Sequence, residues 1–94
     1  MAETGAHELR VSVVSADHEV WTGAASMIVA KTTEGEIGIL PGHEPLLAIL
    51  RAGEVRITPS SGSAAVRATA DDGFLSVEHD TVMIVSRNAA LVQG

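Results

Sequence analysis

"ELRVSVVS", Glu8 to Ser15, decides the fold class. Leu9, Val11 and Val13 fall on one side of an extended chain, with Arg10 and Ser12 on the other. A period of two with β-branched residues is the pattern of a half-buried strand, because successive side chains point to opposite faces. "EVRIT" repeats it, with Val55 and Ile57 inward and Arg56 and Thr58 outward, and "AVRATA" repeats it with Val66, Ala68 and Ala70. "TVMIVS", Thr81 to Ser86, is apolar on both sides, which predicts a strand covered on both faces or lying at an interface.

Turn signals punctuate these runs at short intervals: Asp17-His18, Gly35, Pro41-Gly42, Ala52-Gly53, Pro59 to Gly62, Asp72-Gly73 and His79-Asp80. Many short strands at this spacing predict an all-β antiparallel sandwich or barrel. "HEPLLAIL" admits one helical turn, confined by Pro45 and Gly53, and no long amphipathic helix is present. In Asp71-Asp72-Gly73 the glycine is expected to supply a backbone angle that other residues avoid.

The 94 residues suffice for one domain, which buries roughly 60–65% of its unfolded surface. Acidic residues outnumber basic ones 12 to 6, for a formal charge of −6, and Lys31 is the only lysine. That balance argues against nucleic acid, whose phosphates need clustered cations, and against an anionic lipid surface. With no cysteine, disulfides, thiolate chemistry and zinc–sulfur sites are excluded. No run approaches the ~20 apolar residues of a membrane span, and "MAETGAHELR" lacks the basic and apolar regions of a secretory signal.

"TTEGEIGILPGHEPLLAIL", Thr32 to Leu50, gathers Glu34, Glu36, His43 and Glu44 around a Pro-Gly turn. Paired carboxylates can do acid–base work, but a sugar cleft needs aromatic walls and the chain has only Trp21 and Phe74. His7, His18, His43 and His79 lack metal-ligand spacing. Phosphate-binding glycine loops are absent, and Ser60, Ser61 and Ser63 have no partnering base. Lys31 admits comparison with the modified lysine of lipoyl and biotinyl carrier domains, yet it lacks their flanking residues and reads better as a strand-end charge. What remains is apolar: Ile37, Ile39, Leu40, Leu46, Leu47, Ile49 and Leu50 exceed what so small a domain can bury around one turn, which points to a protein contact.

"EGEIGILPGHEPLLAIL", Glu34 to Leu50, closely resembles the hallmark of the epsilon subunit of bacterial F-type ATP synthases (delta in mitochondria). "LRVSVVSADHEVWTGAASMIVAKT" resembles that family's first strands and "ADDGFLSVEHDTVMIVSRNAAL" its last, so the likeness spans about residues 8 to 92. It implies a flattened β-sandwich of about ten short strands, preceded by a frayed or disordered segment 1–7. It implies a non-catalytic rotor subunit in the central stalk, without cofactor, bound to the gamma subunit and the c-ring. Such a subunit passes ring rotation to gamma, touches the membrane only through the complex, and lies on the cytoplasmic side of the bacterial plasma membrane. By motif position, Glu36 and His43 fall where the family faces the c-ring loops, and Ser15 falls on the gamma side.

Asp72 and Ser76 depart from the family's usual Gly-Gly-Phe-Leu-Glu-Val. The sequence also stops at "NAALVQG", where family members continue into an inhibitory C-terminal helical hairpin; the Met1 start favours a natural short form.

Overall fold

The structure, a computed structural model, describes residues 8–92; the expectation for residues 1–7 lies outside them. Nine strands form, with no helix among the described residues: β1 (Leu9–Val14), β2 (Glu19–Thr32), β3 (Gly35–Ile39), β4 (Leu46–Leu50), β5 (Gly53–Pro59), β6 (Val66–Ala70), β7 (Gly73–Glu78), β8 (Thr81–Ser86) and β9 (Ala89–Leu91). They build two layers. One runs β4-β7-β8-β1 and ends on the first half of β2. The other runs β3, the second half of β2, β5, β6 and β9.

β2 serves both layers, which is why about ten short strands become nine with one of 14 residues. Its pairing register breaks between Ala25 and Met27, where it leaves β1 for β5. The inward positions accordingly change phase, from Ala25 to Ile28 and Ala30. One extra residue in a strand bends it and shifts the alternation, so β2 can feed both sheets with apolar side chains.

Most pairings are antiparallel, but β1 and β8 run parallel. Parallel neighbours need a long connection, and nearly the whole chain lies between these two. "HEPLLAIL" forms no helical turn: Leu46–Leu50 is a strand whose ladder with β7 pairs Leu46 with Val77 and Leu50 with Gly73. Pro45 would be tolerated in a first helical turn, so it is the pairing with β7, which satisfies the backbone of Leu46–Leu50, that decides for a strand.

The inward side chains meet in one core that joins Leu9, Val11 and Val13 to Ile28, Ile39, Leu50, Ile57, Leu75, Val82 and Ile84. Each such side chain contributes about 1.5–3 kcal/mol on burial. Trp21, opposite Val13 in the register, lays its ring over Gly23, where a Cβ would come within 2.8 Å of ring Cη2. The molecule measures 39 × 28 × 22 Å, as expected of a flattened sandwich.

The Glu78–Thr81 connection is a hairpin tip with φ of 51° at His79 and 59° at Asp80. Two consecutive positive φ values define the tight turn whose twist suits antiparallel strands. Gly73 behaves otherwise than its sequence context suggests. It has no positive φ; a Cβ there would lie 1.9 Å from the Val85 carbonyl oxygen. Close approach of β8, not backbone conformation, requires glycine, and Asp72 next to it needs no left-handed tolerance either.

Candidate interaction surface

The outer faces of the two layers differ in chemistry. On the first, the register aligns Ile49, Phe74, Val85 and Val14 in one row across β4, β7, β8 and β1. The next row holds Leu47, Ser76, Met83, Ser12 and Thr22. Leu47 is 73% exposed, Ile49 62%, Phe74 42% and Met83 41%. Charges appear only at the margins, with Glu78 and Arg10 flanking Thr81 at one end and Glu19 opposite Val14 at a corner. A solvated antiparallel sheet normally turns polar residues outward, so this uncharged outer band is the candidate contact surface.

The second outer face is charged. Glu54 reaches Arg67 at 3.3 Å and Arg56 at 3.9 Å, which holds apart two arginines directly opposed in the β5–β6 ladder. Lys31 stands opposite Glu36 across β2 and β3. Exposed pairs of this kind contribute at most about 1 kcal/mol, but they keep the face wet.

The expected site residues fall in separate places. Glu36 is exposed on edge strand β3, next to the turn into it. That turn is shaped by buried Thr32, whose Oγ1 donates to the Gly35 carbonyl at 2.8 Å and accepts the Glu34 N–H at 3.1 Å. His43 is half-buried beyond the other end of β3, and its Nδ1–H donates to the Glu44 carbonyl at 2.7 Å. Most of β3 therefore lies between Glu36 and His43, and the two form no acid–base pair. Lys31 lies within β2 rather than at a free tip, its stem across Gly53, where a Cβ would meet Lys31 Cδ at 2.9 Å. That position suits a strand-end charge, not a swinging carrier arm.

Ser15 is buried at 5% exposure, at the end of β1, with the exposed Asp17 and His18 folded over it. His18 Nδ1 is 2.7 Å from Asp17 Oδ1, and Ser15 Oγ is 3.0 Å from the same nitrogen. A catalytic relay needs serine and aspartate on opposite ring nitrogens, so this cluster is a loop clamp and not a nucleophile. The His18 hydrogen bond, helped by Ser15, holds the Asp17 carboxyl below its ordinary 3.8. A lowered carboxyl favours the fold above its ordinary pKa, and the benefit fades as pH falls through the lowered value. An NMR titration should place the Asp17 midpoint below 3.8, and His18→Ala should return it towards that value; an unmoved midpoint in the variant would refute the clamp.

Two open depressions flank these features, one of about 620 Å³ bordered by Lys31, Glu34, Glu36 and Arg51, the other of about 350 Å³ bordered by Ser15, His18, Arg87 and Asn88. Both have charged or polar rims, unlike the apolar and aromatic walls usual for small-molecule sites. Among the described residues no cluster of three His, Asp or Glu side chains could hold a metal ion.

Of the seven apolar residues singled out around the Pro-Gly turn, Ile39 and Leu50 are core, Ile37 and Leu46 half-buried, and Leu40, Leu47 and Ile49 exposed. Phe74 completes the apolar face; the alternation of Leu75 and Val77 with Phe74 and Ser76 is the signal that places it outward. The double-sided apolar run "TVMIVS" is covered on one face only: Val82 and Ile84 are buried, and Met83 is exposed on the other side.

Fold and surface together define an all-β sandwich with one wet face and one uncovered apolar face. Residues 8–92 match the family described as ATP synthase, Delta/Epsilon chain, beta-sandwich domain, and the chain belongs to that family. It is 50% identical over 84 residues to the ATP synthase epsilon chain of Micrococcus luteus, covering 89% of this chain and 91% of the relative. Against the epsilon chain of Frankia casuarinae the identity is 46%, covering 88% and 96%. Against that of Streptomyces coelicolor it is 44%, covering 92% of this chain but 68% of the longer relative. The fold is also that of a chain in the Euglena gracilis mitochondrial ATP synthase, in its OSCP/F1/c-ring structure, with a TM-score of 0.84 at 22% identity over 97% of this chain and 57% of that one. A chain of the Tetrahymena thermophila mitochondrial ATP synthase central stalk/c-ring gives 0.72 at 22% identity, over 86% and 64%.

Proposed function

We propose that this chain is a non-catalytic subunit of the rotor's central stalk, coupling proton-driven rotation of the c-ring to the gamma subunit for ATP synthesis. The contrast between the two outer faces carries the reading. The apolar band of Leu47, Ile49, Phe74 and Met83 is the gamma contact, because covering it removes hydrocarbon from water without desolvating a charge. The Ser15 loop borders that band through Val14, and its exposed Asp17 and His18 reach gamma while buried Ser15 holds them.

The c-ring meets β3. Since Glu36 lies near the start of this edge strand and His43 beyond its end, a ring surface touching both extends along it. Glu36 pairs there with a basic ring residue. The complex holds the chain at the cytoplasmic side of the bacterial membrane; among the described residues no helix is long and apolar enough to cross one. No cofactor or nucleic acid enters this role.

Co-expression with gamma should yield a 1:1 complex that binds c-rings, and failure to capture gamma would sink the proposal. Glu36→Gln should weaken the ring contact no more than about fivefold, since an exposed ion pair contributes roughly 0.2–1 kcal/mol. Titrating immobilised rings with the complex reads this directly; a loss of several hundredfold would mean that charge, rather than shape, carries the contact.

A further inference from the structure

The connection between β3 and β4, Leu40 to Pro45, has no ladder partner. Its own ties are local: the His43 N–H donates to the Leu40 carbonyl at 3.1 Å, and Nδ1–H to Glu44. Pro41 and Pro45 have no N–H to offer. One hydrogen bond reaches out of the segment to a distant part of the chain: the Gly42 N–H donates to Asp80 Oδ1 at 2.7 Å. That length is at the short end of the N–H···O range.

Asp80 is itself held firmly. It occupies the tip of the β7–β8 hairpin at φ 59°, and its carbonyl accepts the Arg10 N–H at 2.8 Å. The strands of that hairpin carry Phe74 and Met83 on the apolar face. A single hairpin thus supports the apolar face with its strands and the His43 turn with its tip.

We infer that Asp80 is a positioning residue, which fixes the His43 turn relative to the apolar face so that both partners are met by one rigid body. The inference rests on the proposed ring contact of His43. Without the carboxylate the turn keeps only its local bonds and its packing, and motion of the ring is absorbed in the loop before it reaches the sheet.

Two variants separate this role from folding. Asp80→Gly keeps the positive φ and removes the acceptor; Asp80→Asn tolerates the same φ and keeps an Oδ1. In the isolated chain, amide hydrogen exchange at Gly42 should rise about tenfold in Asp80→Gly and stay near wild type in Asp80→Asn. In complex with gamma, Asp80→Gly should bind c-rings about tenfold more weakly, Asp80→Asn should restore binding, and gamma affinity should be unchanged in both. The inference is overturned if Gly42 exchange does not move, if it moves without loss of ring affinity, or if asparagine fails as glycine does. A wild-type complex that ignores c-rings would instead overturn the ring contact itself, and the exchange measurement on the isolated chain tells the two failures apart.

Discussion

Gly73→Ala is expected to lower the thermal midpoint of this domain by roughly 12–24 °C, taking a cost of about 3 kcal/mol and 4–8 °C per kcal/mol for a domain of this size. The added methyl would stand 1.9 Å from the Val85 carbonyl oxygen and 2.8 Å from Ser86 Cα. Both are backbone atoms, so no rotamer change relieves the clash, and β7 must part from β8 where Gly73 faces Ser86. The damage spreads from there. Ser86 is buried; its hydroxyl donates to the Asn88 carbonyl and accepts the Asp71 N–H, both at 2.8 Å, which ties the turn before β7 to the turn after β8. Gly35→Ala is the control, since Gly35 has φ 112° and open space around its missing Cβ. It meets no clash and carries conformational strain alone, about 1–3 kcal/mol. Thermal unfolding followed by circular dichroism compares the two; a shift below about 5 °C for Gly73→Ala would disprove the close-approach argument.

The second large effect concerns binding and should leave the fold intact. Ile49→Asp is expected to weaken gamma capture on the order of 100-fold while moving the thermal midpoint by only a few degrees. Ile49 is 62% exposed and lies on the outer face beside Phe74, so the substitution removes little from the core. In a covered interface it buries an unpaired carboxylate in the middle of an apolar band, which costs about 3 kcal/mol or more. Equilibrium capture of gamma by immobilised wild-type and variant chains measures the ratio. An unchanged affinity would show that gamma lies elsewhere. Arg56→Glu, on the charged outer face, should leave gamma binding unaltered and so separates a local effect from a change of net charge.

Much of this architecture was legible in the sequence because strand patterning is local. In Glu8–Ser15 the alternation of Leu9, Val11 and Val13 with polar residues corresponds residue for residue to burial in β1. The hairpin tip at His79-Asp80 was legible for the same reason, since a turn between two apolar runs leaves its residues few alternatives. Where the alternation changes phase, as at Ser26, the sequence offers no sign that one strand passes between two sheets.

The candidate surface was legible only in part. The surplus of hydrocarbon between Ile37 and Leu50 showed that something apolar had to remain outside, but not which side chains. Leu47 and Ile49 emerge because Leu50 must point inward opposite Gly73, which turns their alternate positions out. Phe74, Met83, Val85 and Val14 join them through pairings between strands remote in sequence.

By itself the sequence determined an all-β chain, the placement of its turns, the exclusion of thiol chemistry and the likeness to the epsilon family. These follow from side-chain period, composition and motif, which are properties of neighbouring residues. Only the tertiary structure decided that β2 belongs to both layers, that Gly73 answers to a carbonyl rather than to a dihedral angle, and that Asp80 holds the turn of His43. Each of these depends on which strands lie side by side, and that is set by how the inward faces of both sheets fill one shared core.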